Sequence, residues 1–357
     1  MVALRSARPI RMRQDWADGL NDSETMRRVV ILGAGGMGTA LALLFGKAGV
    51  DVRLWSRDPE HAAEFARTRI NVRHLPGIKV PETVKITAAG GEAARNADLI
   101  VAAVPTSYLR TTLARLAPGL PPAVPVLSVV KGIEYGTFAR PSQLIQEALG
   151  ERPISVLSGP SHAEELARGL PASVVVSGTH EPINEQIRDA LTHGAFRVYT
   201  SSDTLGVELA GALKNILGIA AGICDGLGSG DNAKAALLTR GLVEIARLGV
   251  NLGARHETFY GLAGVGDVVT TCYSPYGRNR SVGERIGRGE TLDQVLGGMV
   301  NVAEGVPTTR SVHALALQRG VEMPITSELH QIMFNGKPPR SAVADLMVRV
   351  PKAEWSW

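Results

Sequence analysis

The feature that most restricts the fold is a glycine-rich segment directly after a short apolar run near the start of the chain. Residues 28–32 (RVVIL) form that run, which is typical of a strand buried on both faces of a parallel sheet. Residues 33–38 (GAGGMG) follow at once and lead into an apolar stretch of helical length. A tight turn between a buried strand and a helix needs glycine, because no side chain fits there. The pattern therefore predicts a βαβ unit.

The spacing of these glycines, G-x-G-x-x-G, predicts a dinucleotide-binding loop. The first glycine permits the turn, the second lets the backbone approach a pyrophosphate, and the third allows close packing of helix on strand. The helix N-terminus adds free N–H groups and a partial positive charge. The residues predicted to hold the cofactor in this loop are Gly33, Gly35, Gly36, Met37 and Gly38.

The end of the second predicted strand, residues 50–55, bears on the choice between cofactors. NAD sites usually place an acidic residue there for the ribose 2′-hydroxyl, whereas this chain has Trp55-Ser56-Arg57. A guanidinium can pair with a 2′-phosphate, so Arg57 favours NADP(H), with NAD(H) also possible. Asp58 follows and could instead cap the next helix.

The remaining pattern divides into two parts. Further apolar runs at 99–104, 125–130, 154–157 and 173–177 alternate with helical segments, which predicts a doubly wound parallel sheet of the Rossmann type. After about residue 203 the apolar spacing becomes helical throughout. Predicted helices cover 204–222, 232–248, 282–296, 307–319 and 326–335. The fold class is therefore α/β, with a C-terminal all-α domain.

These boundaries give four predicted segments. Residues 1–25 carry four arginines before any acidic residue, and they are interpreted as a disordered tail or a start placed upstream of Met26, with a transit peptide as the alternative. The dinucleotide-binding domain covers 26–203 and the helical substrate domain covers 204–337. Residues 338–357 form a peripheral C-terminal tail.

Composition excludes several classes of function. A net charge of +4 without a long Lys/Arg run argues against nucleic-acid binding. The chain has no run of 18 uncharged apolar residues, so we expect no membrane span. The two cysteines, Cys224 and Cys272, form no Cys-x-x-Cys pair, which favours a cytoplasmic protein. The eight histidines are dispersed, and we expect no metal.

Several longer segments together resemble the bacterial type of NAD(P)-dependent glycerol-3-phosphate dehydrogenase, from about Met26 to Gly336. That resemblance implies a fold like that of 6-phosphogluconate dehydrogenase. It also implies reversible reduction of dihydroxyacetone phosphate to sn-glycerol 3-phosphate for glycerophospholipid synthesis, and a homodimer. The matching segments are GAGGMGTALA (33–42), VPTSYLR (104–110), KGIE (131–134), SGPSHAEELARG (158–169), ELAGALKNILGIAAGICDGLG (208–228), GLAGVGDVVTTC (261–272), GRNRSVGERIGRG (277–289) and NVAEGVPTT (301–309).

Lys214 is the predicted catalytic residue. It stands among apolar and small residues of a helix, where burying an ammonium group is costly. By its sequence alone it could equally be a surface lysine with its charge in water. The resemblance implies that Lys214 is the general acid/base at the C2 oxygen of the substrate. Asp267 could orient Lys214 and raise its pKa, which burial would lower; the sequence leaves the balance open.

The resemblance also implies a substrate site. Arg278-Asn279 opens a predicted helix, where free N–H groups and a forked cation suit a phosphate. The family commonly has Ser before this pair, but this chain has Gly277, so that hydroxyl contact is missing. His162 is a tempting base, but it ranks behind Lys214. The implied substrate-binding residues are Lys131, Gly159, Ser161, Lys214, Asp267, Gly277, Arg278 and Asn279.

The same resemblance extends the cofactor site beyond the glycine loop. Glu304 would contact the nicotinamide side, although by itself it would be interpreted as a surface acid flanking a helix. The implied additional contacts are Lys131, Ala163, Arg278, Val302 and Glu304. Two alternatives remain: a related 3-hydroxyacid or ketopantoate-type reductase, and a non-catalytic NAD(P)-binding protein.

Overall fold

The centre of the molecule is an eight-stranded sheet in the order β10-β9-β8-β7-β6-β1-β2-β5. The computed structural model describes residues 26–299, 302–351 and 353–354, so the predicted tail 1–25 lies outside the described residues. A separate hairpin, β3–β4, stands beside the sheet. The strands are β1 (Arg28–Leu32), β2 (Asp51–Trp55), β3 (Ile70–Asn71), β4 (Leu75–Lys79), β5 (Lys85–Thr87), β6 (Leu99–Ala102), β7 (Val126–Ser128), β8 (Ile154–Ser158), β9 (Ala172–Gly178) and β10 (Phe196–Ser201).

The sheet is parallel except at one pair, because β9 runs antiparallel to β8. The predicted doubly wound parallel sheet is thus present, and it departs from parallel pairing only here among the described strands. Parallel neighbours need a crossover that returns the chain along the whole strand. The only helix between β8 and β9 has six residues, about 9 Å in length, and cannot make that return.

Helices cover both faces of the sheet. Successive residues of a strand point to opposite faces, and the apolar residues on each face are buried under helices. Val29 and Ile31 of β1 belong to one buried cluster, whereas Val30 and Leu32 belong to another. The flanking helices are α1 (Gly36–Lys47), α2 (Pro59–Thr68), α3 (Gly90–Ala93), α4 (Thr106–Leu116), α5 (Pro141–Leu149), α6 (Ala163–Arg168) and α7 (Glu181–Leu191).

The helical part is built around one long central helix. It begins two residues after the last strand, and most of its residues are buried. The helices are α8 (Thr204–Leu227), α9 (Gly230–Asn251), α10 (Asp267–Tyr273), α11 (Arg278–Gly287), α12 (Leu292–Gly297), α13 (Gly305–Arg319), α14 (Pro324–Asn335) and α15 (Pro339–Met347). The domain boundaries proposed from the sequence stay a prediction.

Helix α8 is long and apolar enough to cross a membrane, but 94% of its apolar window is buried inside the protein. Its main partner is α11, which packs at backbone contact. A Cβ at Gly222 would lie 2.0 Å from the carbonyl oxygen of Arg280, and one at Gly283 would lie 1.9 Å from that of Ile219. These two glycines let α8 and α11 touch, and α8 is therefore a core helix.

Two predictions for the C-terminal part need revision or detail. The helix predicted over 282–296 is two helices, α11 and α12. They are separated where Gly289 adopts a φ of +105° and Thr291 caps the second helix. Residues predicted as a peripheral tail contain α15, in which Ala342 is fully buried. Lys337 ties this segment to α14 because it pairs with Asp345 of α15 and with Glu328 of α14.

Candidate active site

A cleft of about 650 Å3 opens at the carboxyl ends of the central strands and is bordered by the helical part. Ligands of open α/β sheets bind at this edge. Most of the predicted site residues line it: Gly33, Gly35, Gly36, Met37, Arg57, Lys131, Ser161, Ala163, Lys214, Gly277, Arg278, Asn279, Val302 and Glu304. The predicted residues Gly38, Gly159 and Asp267 lie behind this lining.

The glycine loop has the geometry that a pyrophosphate site requires. Gly33 adopts a φ of +122°, and a Cβ there would lie 2.6 Å from the carbonyl oxygen of Ala103. A Cβ at Gly38 would lie 1.9 Å from the Gly33 carbonyl oxygen, so this glycine serves the packing of α1 on β1. Gly35 has open space around its missing Cβ, and helix α1 begins at the next residue. The loop thus fits a dinucleotide at the N-terminus of α1.

Two lysines share one buried carboxylate at the other end of the cleft. The Nζ of Lys214 lies 2.9 Å from Oδ1 of Asp267, and the Nζ of Lys131 lies 2.5 Å from Oδ2. Asp267 is only 2% exposed. The Lys214 ammonium also donates to the hydroxyl of Thr271. Each lysine is therefore held by groups behind it, with the cleft in front.

The shared carboxylate governs the electrostatics of this cluster. Burial opposes the ionisation of Asp267, but Lys131 and Lys214 together outweigh burial and hold the pKa of this carboxyl below its usual range. Burial, helped by the neighbouring Lys214 charge, lowers the pKa of Lys131 to about 8, against the opposing effect of Asp267. Lys131 can therefore change its charge near neutral pH, which few lysines do.

The local folding explains how three distant segments meet. Lys214 lies in the middle of α8, Lys131 follows β7, and Asp267 opens α10 after a π-helical turn over Leu262–Gly266. Lys131 is fixed further by donating to the Gly159 carbonyl oxygen at 3.1 Å. Gly159 thus acts through its backbone, just beyond the end of β8.

The predicted phosphate site lies at the N-terminus of α11. Arg278 is exposed and donates to the Val302 carbonyl oxygen at 3.0 Å. The side chain of Asn279 donates to Asn215 at 2.9 Å and accepts from the Gly305 N–H, so its amide also braces neighbouring helices. A Cβ at Gly277 would lie 2.9 Å from the Thr271 carbonyl oxygen, and this backbone position therefore suits glycine.

Glu304 is not the surface acid that its sequence context alone suggested. Its Oε1 accepts from the Thr106 N–H at 2.9 Å, whereas its Oε2 and the Thr106 hydroxyl are buried without a hydrogen-bond partner among the described residues. Burial raises the pKa of Glu304. Glu304 lines the cleft, and its unsatisfied Oε2 is an acceptor that the N–H of a carboxamide would complete. The residues present therefore fit a nicotinamide dinucleotide.

His162 lines the cleft but is a poor base. Burial, helped by the Lys214 charge, lowers its pKa to about 4. The imidazole is therefore neutral at physiological pH and holds a proton weakly. This agrees with ranking His162 behind Lys214.

The ribose end of the cleft contains Arg57 and Asp58. Arg57 is exposed, and its guanidinium lies 5.6 Å from the ring centre of Tyr108. Asp58 caps α2 by accepting from the N–H groups of Glu60 and His61. The carboxylate is thus engaged by its own helix, as the sequence allowed.

Sequence reasoning missed two residues of the cluster, Thr271 and Asn215. Thr271 follows Asp267 by four residues on one helix, a spacing that places both on the same face, so it could have been found. Asn215 donates to the Lys131 carbonyl oxygen at 2.9 Å and accepts from Asn279. Asn215 stands next to Lys214 in the sequence, but no sequence pattern indicates those partners.

Comparison with known proteins identifies the family. Models described as the N-terminus and the C-terminus of NAD-dependent glycerol-3-phosphate dehydrogenase match residues 28–183 and 203–344. The chain belongs to this family. A Salinibacter ruber protein named glycerol-3-phosphate dehydrogenase [NAD(P)+] 1 is 48% identical over 332 residues, covering 92% of this chain and 97% of that protein. A Moorella thermoacetica protein named glycerol-3-phosphate dehydrogenase [NAD(P)+] is 47% identical, covering 90% and 96%.

Solved structures agree with membership of the glycerol-3-phosphate dehydrogenase family. The glycerol-3-phosphate dehydrogenase of Coxiella burnetii superposes with a TM-score of 0.88 at 37% identity, covering 91% of this chain and 99% of that one. A ketopantoate reductase of Ralstonia eutropha has a TM-score of 0.54 at 17% identity, which shows the fold alone. The chain is therefore an NAD(P)-dependent oxidoreductase with a Rossmann-type sheet and a helical C-terminal part.

Proposed function

We propose that this chain reduces dihydroxyacetone phosphate to sn-glycerol 3-phosphate, reversibly and with NADPH preferred over NADH. The observation that carries this proposal is the Lys214–Asp267–Lys131 cluster, which lies in one cleft with the glycine loop and the N-terminus of α11. A ketone, a phosphate and a nicotinamide dinucleotide each find a matching group there. The cofactor, when bound, supplies the hydride.

Lys214 is the group proposed to transfer the proton. Its ammonium is held from behind by Asp267 and Thr271, and a proton on Nζ can therefore be directed at the C2 oxygen of a ketone in the cleft. In the reverse direction the neutral amine accepts the proton from the C2 hydroxyl. A positioned acid/base of this kind contributes about 10²–10⁴-fold to rate.

The other proposed substrate contacts select a phosphorylated substrate. Arg278 and the free N–H groups at the start of α11 suit the phosphate, and Lys131 adds a second cation on the opposite wall. Ser161, whose hydroxyl lies 3.5 Å from the Lys131 Nζ, completes that wall. A ketopantoate-type reductase would have no use for the phosphate site, which favours the dehydrogenase over that alternative.

The proposed cofactor contacts divide between the two ends of the cleft. The glycine loop and Arg57 hold the adenosine half, while Ala163, Val302 and Glu304 border the nicotinamide half. We also propose a homodimer in the cytoplasm that serves glycerophospholipid synthesis and needs no metal. No group of three potential metal ligands occurs in the described part of the chain, and the two cysteines are free.

The decisive experiment is an NADPH oxidation assay with dihydroxyacetone phosphate, repeated with NADH. We expect turnover with both cofactors and a higher kcat/KM with NADPH. Dihydroxyacetone and ketopantoate serve as controls that lack the phosphate. Turnover of either control in preference to dihydroxyacetone phosphate would refute the proposed substrate, and NADPH binding without any turnover would favour a non-catalytic protein.

A further inference from the structure

The ribose end of the cleft contains a second arginine that the sequence did not single out. Arg73 lies between the strands of the β3–β4 hairpin and lines the cleft together with Arg57, Asp58 and His74. Its Nη1 lies 3.1 Å from Oδ2 of Asp58. Two guanidinium groups and one carboxylate therefore surround the place where the strand β2 ends.

The hairpin that carries Arg73 is anchored to the glycine loop. Asn71 is fully buried and donates to the Ala34 carbonyl oxygen and to the Thr39 hydroxyl, both at 2.9 Å. The side-chain Oδ1 of Asn71 accepts from the His74 N–H at 3.2 Å. A Cβ at Gly36 would lie 3.2 Å from the His74 carbonyl oxygen, so the hairpin passes at contact distance. Arg73 is thus held at a fixed place relative to the pyrophosphate loop.

Asp58 is already engaged through both of its carboxylate oxygens. Its Oδ1 accepts from the N–H groups of Glu60 and His61, and its Oδ2 faces Arg73. An acidic residue near the end of β2 is the group that accepts the ribose 2′-hydroxyl of NAD. Here that carboxylate is neutralised by a helix N-terminus on one side and by a guanidinium on the other.

We infer that Arg73 is a second specificity-determining residue for a 2′-phosphorylated dinucleotide, and that it acts in two ways. Its remaining N–H donors pair with the 2′-phosphate opposite Arg57, and its ion pair with Asp58 removes the carboxylate that would otherwise repel that phosphate and accept a 2′-hydroxyl. The inference rests on the proposed preference for NADPH. The Arg73 side chain is 52% exposed and meets Asp58 through Nη1, so the other N–H donors of its guanidinium can reach a phosphate while the pair with Asp58 is kept.

The test compares Arg73→Ala with a matched control, Arg67→Ala. Arg67 lies on α2, is exposed and does not line the cleft, so both variants lose one positive charge from the same region. The probes are adenosine 2′,5′-bisphosphate and adenosine 5′-monophosphate, whose dissociation constants are measured by calorimetry at fixed ionic strength. The ratio of kcat/KM for NADPH to that for NADH is measured in parallel.

We expect Arg73→Ala to weaken binding of the bisphosphate by about 10-fold or more, the size of one charged hydrogen bond, and to leave the monophosphate within about twofold. The NADPH/NADH ratio should fall by the same factor, and Arg67→Ala should change neither. In Arg73→Ala the kcat/KM for NADH should rise, and adding Asp58→Asn should remove that rise. Equal effects of Arg73→Ala and Arg67→Ala would overturn the inference.

The binding probes separate this inference from the proposed function, because they require no turnover. If Arg73→Ala abolishes the difference in affinity between the two nucleotides, the role of Arg73 is supported even if the protein does not reduce dihydroxyacetone phosphate. If the wild type reduces dihydroxyacetone phosphate and distinguishes the two nucleotides through Arg57 alone, only the role of Arg73 is overturned. Equal binding of the two nucleotides by the wild type would overturn the cofactor preference and the inference together.

Discussion

At the scale of single residues, the cluster of Lys131, Lys214 and Asp267 carries one net positive charge on three ionised groups. Removing Asp267 would leave two lysines without their shared partner, which is costly, whereas removing either lysine leaves Asp267 paired with the other. Lys214 has Asp267 and Thr271 behind it, whereas Lys131 is held by Asp267 and the Gly159 carbonyl oxygen. The two lysines should therefore respond differently to substitution.

Replacing Lys214 with methionine should remove the proton donor and keep the volume of the side chain. We expect kcat to fall about 10²–10⁴-fold while the affinity for NADPH stays near that of the wild type. Single-turnover kinetics and NADPH fluorescence titration would measure the two quantities. Lys47→Met, at the end of α1 and outside the cleft, is the control. Turnover close to the wild-type rate would exclude Lys214 as the acid/base.

The lowered pKa of Lys131 predicts a pH dependence. The ammonium is charged below about pH 8 and neutral above it, so the phosphorylated substrate should lose one cationic contact as pH rises. We expect kcat/KM for dihydroxyacetone phosphate to decline above about pH 8. Because arginine stays protonated, Lys131→Arg should abolish this decline even if its activity is lower. An unchanged profile in Lys131→Arg would assign the decline to another group.

The sequence predicted the members of this cluster better than their partners. Lys214, Lys131 and Asp267 lie in segments that resemble one family, and the structure brings all three together. Their hydrogen bonds to Thr271 and Asn215 depend on how α8, α10 and the loop after β7 pack. A linear pattern does not contain that packing, and for the same reason Glu304 could be mistaken for a surface acid.

At the scale of elements, buried carboxylates from one helix cap the N-termini of others. Glu244 of α9 accepts from the N–H groups of Ile325 and Thr326 and from the Thr326 hydroxyl. Glu208 of α8 does the same for Ser142 at the start of α5. Glu244 replaces a local cap, since α14 has no side-chain cap bond from the residue at its own N-cap, whereas at α5 Glu208 acts beside the local bond from the Arg140 N–H to the Gln143 side chain.

Replacing Glu244 with alanine should destabilise the protein by about 2 kcal/mol or more, because buried N–H groups lose their acceptor. Urea unfolding would measure this loss of stability, with Glu151→Ala, at an exposed position, as the control.

Burial raises the pKa of Glu244 above 4.5, so the native state binds the proton of this carboxyl group more tightly than the unfolded state does. The stability contributed by the carboxyl group therefore falls as pH rises above about 4.5. The difference in stability between the wild type and Glu244→Gln should consequently be larger at pH 4 than at pH 7.

Elements were predicted best where the pattern was long and local. The strand–glycine–helix unit and the two long helices were found within a few residues of their observed bounds. The direction of β9 was not predicted, because the apolar pattern of a strand is the same whichever way the strand runs. The break between α11 and α12 was also missed, since it depends on a single glycine, Gly289, with a positive φ.

At the scale of the whole molecule, the sheet and the helices share one interior next to the site. Ile133, in the loop that follows Lys131, and Val156 of β8 belong to the same buried cluster as the apolar residues of α8. The hydroxyl of Ser311 on α13 also donates to the Ile133 carbonyl oxygen at 3.0 Å. The proposed substrate contacts from both parts therefore lie on one connected body of packed side chains.

The contact of α8 with α11 at Gly222 fixes how far Lys214, the proposed proton donor, stands from the proposed phosphate site at the start of α11. A methyl group there would meet the Arg280 carbonyl oxygen at 2.0 Å and must push α11 outward. We expect Gly222→Ala to raise KM for dihydroxyacetone phosphate and to leave NADPH affinity unchanged, while Gly297→Ala, which meets open space, changes neither. An unaltered KM would show that α11 moves freely. Because Gly222 has no side chain, the backbones of α8 and α11 touch. On the proposed function, that contact determines how long a carbon skeleton fits between Lys214 and the start of α11.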